Sequence, residues 1–209
     1  MLWAAWSEVA RNSGAPGVDG VTIGSIEQAG VGCFLDELHA ELVEGRYRPL
    51  PVRRVTIPKR AGGERHLGVP CVRDRVVQAA WKLVVEPVFE AGFADVSFGF
   101  RPRRSAHQAR ERIRAGLRQG RRWVVDADIK GFFDHLDHGL LAAMLRERIS
   151  DRRVMDLITG WLRVGVLAGE QLLHPDAGTP QGGVASPLLA NVYLDRLDQA
   201  WQADYPRLG

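Results

Sequence analysis

Apolar side chains recur along this chain at two spacings, and the elements change where the spacing changes. Over Leu2–Arg11 the positions Trp3, Trp6 and Val9 return every three residues, the pattern of a helix with one buried stripe. The turn-rich run Asn12-Ser-Gly-Ala-Pro-Gly-Val-Asp-Gly20 stops it as a loop. A second helix is predicted over about 25–44, where Phe34, Leu35, Leu38 and Leu42 keep helical spacing although Gly30 and Gly32 weaken it. Beyond Gly45 the reading changes to strand: 53–58 and 66–70 form a hairpin around the turn 59–65. Asp74 is placed to cap a helix in which Val76, Val77, Ala80, Trp81, Val84 and Val85 make a broad apolar face, so that helix is expected to be buried against most of its neighbours. Phe93 to Phe100 reads as a loop or short strand. Ser105 caps a helix to about Arg118 with Ala106, Ala109, Ile113 and Leu117 turned inward.

In the second half, Trp123–Val125 is a short strand-forming run, and helices follow from His138 to about Ile149 and from Arg152 to about Val164. Asp137 and Asp151 cap them. A hairpin pairs Val166–Leu167 with Gln171–His174. Ser186-Pro187 then starts a helix with Leu189, Val192, Tyr193, Leu197 and Trp201 on its apolar face.

The centre of interest is the end of the run at Trp123. Asp126 and Asp128 arrive there two residues apart, hence on one face if the strand continues. An acid at a buried strand end needs a helix N-terminus, an Arg or a divalent cation, because an unpaired buried carboxylate is too costly to keep charged. Gly131 breaks the run, and Phe132 and Phe133 add bulk beside the carboxylates. A metal-binding strand end followed by a wall of nucleotide size has this geometry.

Charge sharpens the reading. The 209 residues carry a formal net charge of only +3, but nine arginines lie between Arg101 and Arg122 against the single acid Glu111, and a second basic cluster spans 46–65. Such clusters favour a polyanion. Arg110, Arg114 and Arg118 share a helical stripe; the usual meaning is a solvated face, but the lack of accompanying acids for helical ion pairs favours phosphate contacts. The cations at the 59–65 turn read, on the residues alone, as a solvated surface turn. Cys33 and Cys71 have no metal-ligand spacing and read as free thiols. A zinc site on His135 and His138 would need further ligands, and His107 and His174 carry no motif for one. No apolar run has the length of a membrane span, nor does any segment resemble a signal peptide, so a soluble cytoplasmic protein is expected.

Five blocks together resemble the reverse transcriptases of bacterial group II introns: Gly14-Ala-Pro-Gly-Val-Asp-Gly20; Ile57-Pro-Lys with Arg65-His-Leu-Gly-Val-Pro70; Ser97-Phe-Gly-Phe-Arg-Pro-Arg-Arg-Ser-Ala-His107; Asp128-Ile-Lys-Gly-Phe-Phe-Asp134; and Gly178-Thr-Pro-Gln-Gly-Gly-Val-Ala-Ser-Pro187. The resemblance implies an α+β right-hand polymerase with an N-terminal extension (1–45), fingers (46–122) and a partial palm (123–209), its antiparallel sheet packed with helices. It implies an RNA-directed DNA polymerase that uses two Mg²⁺ ions, with RNA template, primer and deoxynucleoside triphosphates as partners, and intron RNA as a further one. Asp128 corresponds to the first metal ligand, with the Ile129 carbonyl as a second contact. Lys59 and Arg65 correspond to cations that grip the triphosphate, Gln181 to the residue bordering the sugar, and Phe133 to the bulky residue under the 2′ position. Arg101, Arg104, Arg110, Arg114 and Arg118 are expected to face nucleic acid. The family completes its metal site with two adjacent aspartates in an aromatic-Ala-Asp-Asp hairpin, and no Asp-Asp pair occurs in these residues. The chain therefore reads as an N-terminal fragment, with catalysis absent from the fragment alone. A non-catalytic, maturase-like RNA-binding role is the alternative.

Overall fold

A computed structural model of the chain describes residues 1–58, 62–173, 177–179 and 182–205. Lys59, Gln181 and His174, singled out above, lie outside the described residues. The helices are α1 (Leu2–Arg11), α2 (Ile23–Ala29), α3 (Val31–Val43), α4 (Val72–Glu90), α5 (Ala106–Arg118), α6 (His138–Arg146), α7 (Arg152–Arg163) and α8 (Ser186–Asp204). The strands are β1 (Val52–Pro58), β2 (Glu64–Val69), β3 (Val166–Ala168) and β4 (Gln171–Leu173).

The helix expected over 25–44 is two helices. Gly30 takes φ +108, a value no L-residue adopts easily, and the chain turns there between α2 and α3. Thr22 begins α2 with a capping box closed by Ser25. The caps read from sequence at Ser105, Asp137 and Asp151 all accept backbone N–H groups at the starts of α5, α6 and α7.

Asp74 is not a cap. Cys71 holds the N-cap position of α4, and Asp74 sits in the first turn, 1 % exposed. Tyr47 Oη donates to Asp74 Oδ1 at 2.6 Å and the Leu50 N–H donates to Oδ2 at 3.1 Å. Trp161 Nε1 donates in turn to Tyr47 Oη at 3.2 Å. Burial raises the Asp74 carboxyl above its usual range against the pull of these donors, and burial also raises the Tyr47 phenol. Cys33 and Cys71 are free thiols, and burial pushes that of Cys71 up to about 11.

α4 is the axis of one apolar core. Val72, Val76, Trp81, Val85 and Phe89 are buried in it against Trp6 and Val9 of α1, Leu35 and Leu38 of α3, Leu141 and Leu145 of α6, Ile158 and Trp161 of α7, and Leu188 and Leu189 of α8. Trp81 and Trp161 meet edge to face at 5.7 Å. Trp3, expected on the buried stripe of α1, is exposed while Ala5 is buried in its place; Leu197 and Trp201 of α8 are likewise exposed.

The sheet has the order β2-β1-β3-β4. The β1–β2 and β3–β4 pairs are antiparallel hairpins, as expected, but β1 and β3 run parallel, with Val52 opposite Val166 and Arg53 opposite Leu167. The sheet is thus mixed rather than antiparallel. Among the described residues no helix is long and apolar enough to cross a membrane.

Candidate functional site

The run Trp123–Ile129 is not a strand. Among the described residues it pairs with no strand, and every residue from Arg121 to Lys130 is exposed, Trp123 at 95 % and Val125 at 87 %. A strand is defined by the backbone it bonds to, and strand-forming side chains cannot supply that neighbour. Asp126 and Asp128 are accordingly exposed, so the cost of burying a carboxylate does not arise at this end.

A cleft nevertheless forms beyond it. The chain bends at Gly131 into a 3₁₀ turn, Phe132–Asp134, and a cavity of about 910 Å³ opens between this turn and the β1–β2 hairpin. Arg65, Asp128, Ile129 and Phe133 all line it. Four residues expected to share a site, from two sequence blocks, therefore share one cavity. Phe133 is half-buried and rests edge to face on Phe132 at 5.6 Å; Phe132 in turn meets Tyr193 of α8 at 6.2 Å.

Arg54 and His66 also line the cleft and were not singled out. On the β1–β2 pair Arg54 shares a face with His66, since Thr56 stands opposite His66 and Arg54 opposite Gly68; Arg65 falls one residue out of phase with them, so period two does not by itself mark the cleft side chains. Arg53 points back and donates to the Pro16 carbonyl from Nε at 3.0 Å and Nη2 at 2.7 Å, whereas Arg54 turns to the cavity. The far wall is Ala177, Gly178 and Thr179. It is bonded to the 3₁₀ turn: the Thr179 N–H donates to Phe133 O at 2.7 Å and the Gly178 N–H to Leu136 O at 2.8 Å. Among the described residues no three His, Cys, Asp or Glu side chains gather to hold a metal ion.

The arginine cluster divides. Arg101 is 7 % exposed, its Nε donating to both Glu90 oxygens (3.0 and 3.1 Å) and its Nη1 to the carbonyls of Ala94 (2.6 Å) and Ser97 (3.0 Å). It is engaged inside the fold, which corrects its expected role as a phosphate contact. Arg104 pairs with Asp95 at 2.8 Å and covers the Phe98 ring. Arg110, Arg114 and Arg118 are exposed on α5. Contrary to the expectation of a stripe without acids, Glu111 pairs with Arg114 at 3.0 Å and with Arg110 at 3.5 Å. Such exposed pairs are worth little. The apolar side of α5, expected inward, buries nothing: Ile113 and Leu117 are 57 % and 51 % exposed. Asp195 and Asp198, by contrast, are half-buried, and burial raises the Asp198 carboxyl with Asp195 adding to it.

Residues 57–206 match the family described as "Reverse transcriptase (RNA-dependent DNA polymerase)". The chain belongs to the reverse transcriptase family, and within it to the bacterial group II type. It is 42 % identical over 194 residues to "Protein YkfC" of Escherichia coli (strain K12), covering 90 % of this chain and 50 % of that one. It is 43 % identical over 159 residues to "Group II intron-encoded protein LtrA" of Lactococcus lactis subsp. cremoris, covering 76 % of this chain and 26 % of that relative. Among solved structures, a chain of a "Partial Cas6-RT-Cas1--Cas2 complex" superposes over 97 % of this chain and 33 % of its own length, with a TM-score of 0.61 at 25 % identity. The chain thus spans half the length of the first of these relatives and about a quarter of the second.

Proposed function

We propose that these residues form the fingers (46–122) and the front of the palm (123–209) of a group II-type RNA-directed DNA polymerase, with the cleft as the seat of an incoming deoxynucleoside triphosphate. The observation that carries this is the meeting of Arg65, Asp128, Ile129 and Phe133 on one cavity. Arg65, with Lys59, holds the triphosphate by charge-assisted hydrogen bonds. Phe133 lies under the sugar, where an aromatic ring overlaps a 2′-hydroxyl and so disfavours a ribonucleotide. Asp128 and the Ile129 carbonyl are hard oxygen donors of the kind Mg²⁺ takes. Glu64 and Asp134 also line the cleft, yet among the described residues no three such side chains gather to hold an ion, so a two-ion centre is not assembled on them. No chemical step is therefore assigned to a metal on these residues. Their own work is to bind and orient the nucleotide.

RNA is the second ligand. The exposed arginines of α5 support it, and the resemblance to an intron-encoded protein supports template and intron RNA as its sources. A purely RNA-binding chain would keep this face and leave the cleft empty.

The deciding experiment measures both activities on residues 1–209. No Mg²⁺-dependent primer extension is expected, while dTTP should bind and Arg65→Ala should weaken it about tenfold or more, the loss of a charged hydrogen bond. Primer extension would overturn the account of the metal centre. Failure to bind dTTP would favour the RNA-binding reading.

A further inference from the structure

Behind the far wall of the cleft stands a side chain that does not line it. His138 Nε2 lies 2.6 Å from the Gly178 carbonyl, 40 residues away in sequence. A carbonyl oxygen only accepts, so Nε2 carries the proton and His138 is the donor. The imidazole is mounted on a stiff base: His138 is the first residue of α6, whose N-cap Asp137 accepts the Leu140 N–H at 2.8 Å and whose Leu141 and Leu145 are fully buried. From that base it holds the wall in the place where the Gly178 and Thr179 N–H groups reach the carbonyls of Leu136 and Phe133. The approach is close. Gly178 has φ +90, and a Cβ there would stand 2.7 Å from Phe133 O and 2.8 Å from Asp134 O. Among the described residues, three hydrogen bonds tie the Gly178–Thr179 wall to the segment running from Phe133 to His138, one of them from the His138 side chain, while Thr179 Oγ1 meets Ser186 Oγ of α8 at 2.9 Å.

We infer that His138 is a positioning residue for the nucleotide cleft: it latches the Gly178–Thr179 wall to the turn that carries Phe133, and so sets the width of the cavity that receives the sugar. The inference rests on the nucleotide reading of the cleft. A group that locks a binding wall from a rigid helix lowers the ordering cost that the ligand would otherwise meet.

The test uses residues 1–209. His138→Ala should speed hydrogen exchange at the Gly178 and Thr179 amides by about tenfold, the effect of removing one well-made hydrogen bond from a local opening equilibrium. The same variant should weaken dTTP binding by about 3- to 10-fold with little change in thermal midpoint. His138→Gln, whose amide can still donate, should recover both. Gly178→Ala keeps the imidazole but drives a Cβ into the two carbonyls, and should free the same amides. Unchanged exchange in His138→Ala would overturn the latch. Faster exchange with undiminished dTTP affinity would overturn the positioning role. A wild-type chain that does not bind dTTP would sink the nucleotide reading and the positioning role together, and the exchange measurement distinguishes that outcome from failure of the latch.

Discussion

Helices α5 and α7 carry the same kind of apolar stripe and meet opposite fates. In α7, Met155, Ile158, Trp161 and Leu162 are buried against α4 and its neighbours. In α5, Ala109, Ile113 and Leu117 also recur at helical spacing, four residues apart, and no residue of the helix is buried. The run that follows α5, Trp123–Lys130, is exposed throughout. The difference teaches that periodicity identifies the side of a helix that can be buried; burial needs a second surface. It also separates two uses of charge, since the arginine engaged inside the fold precedes α5 and the exposed ones lie on it.

The largest test of this contrast is truncation at matching positions. Ile158→Ala should cost about 2–5 kcal/mol, whereas Ile113→Ala should stay within about 0.5 kcal/mol. Urea unfolding of the two variants against wild type measures it, and a comparable loss at Ile113 would mean that α5 is covered in solution. A second contrast sets Arg101 against the α5 arginines. Arg101→Gln leaves Glu90 without its partner and should cost about 3 kcal/mol, with the salt dependence of RNA binding unchanged. Replacing Arg110, Arg114 and Arg118 together by Gln should do the reverse, leaving stability nearly intact and flattening the salt slope by up to about 3. Equal slopes would remove these three side chains from the RNA surface.

The smallest effect is a pH dependence confined to the packed region. Burial holds the Asp74 carboxyl above its unfolded value of about 3.9, so the native state binds this proton more tightly than the unfolded chain does. Its contribution is full below the unfolded pKa and is lost as pH rises through the native one. Wild type should therefore lose stability relative to Asp74→Asn between pH 4 and pH 7. A difference between the two that stays constant over that range would show that Asp74 titrates alike in both states.

What could be read from the sequence was local. Ser105, Asp137 and Asp151 cap their helices because a cap is decided within three residues. The β1–β2 hairpin, the β3–β4 hairpin and the burial of α4 follow from short-range pattern. What failed was contingent on partners far along the chain. Trp123–Val125 has the residues of a strand and, among the described residues, no strand beside it; Arg101 could not be told from its neighbours until Glu90 and the Phe93 ring closed around it. The parallel pairing of β1 with β3 has no local signal at all. In the cleft, Arg65, Asp128, Ile129 and Phe133 were identified by resemblance, while Arg54, His66 and His138 were accessible only to the folded geometry.

That parallel pairing has a consequence in time. The backbone of Val52 donates to Gly165 at 2.9 Å, and Tyr47 receives the Trp161 N–H across 114 residues of chain. During synthesis at about 5–20 residues per second, the β1–β2 hairpin has been made for roughly 5–20 s before β3 can reach it. Over that interval the Val52–Arg53 end of β1 lacks the neighbour that it has in the folded chain. The order in which the ribosome delivers the strands makes closure of the sheet between β1 and β3 a late event of folding.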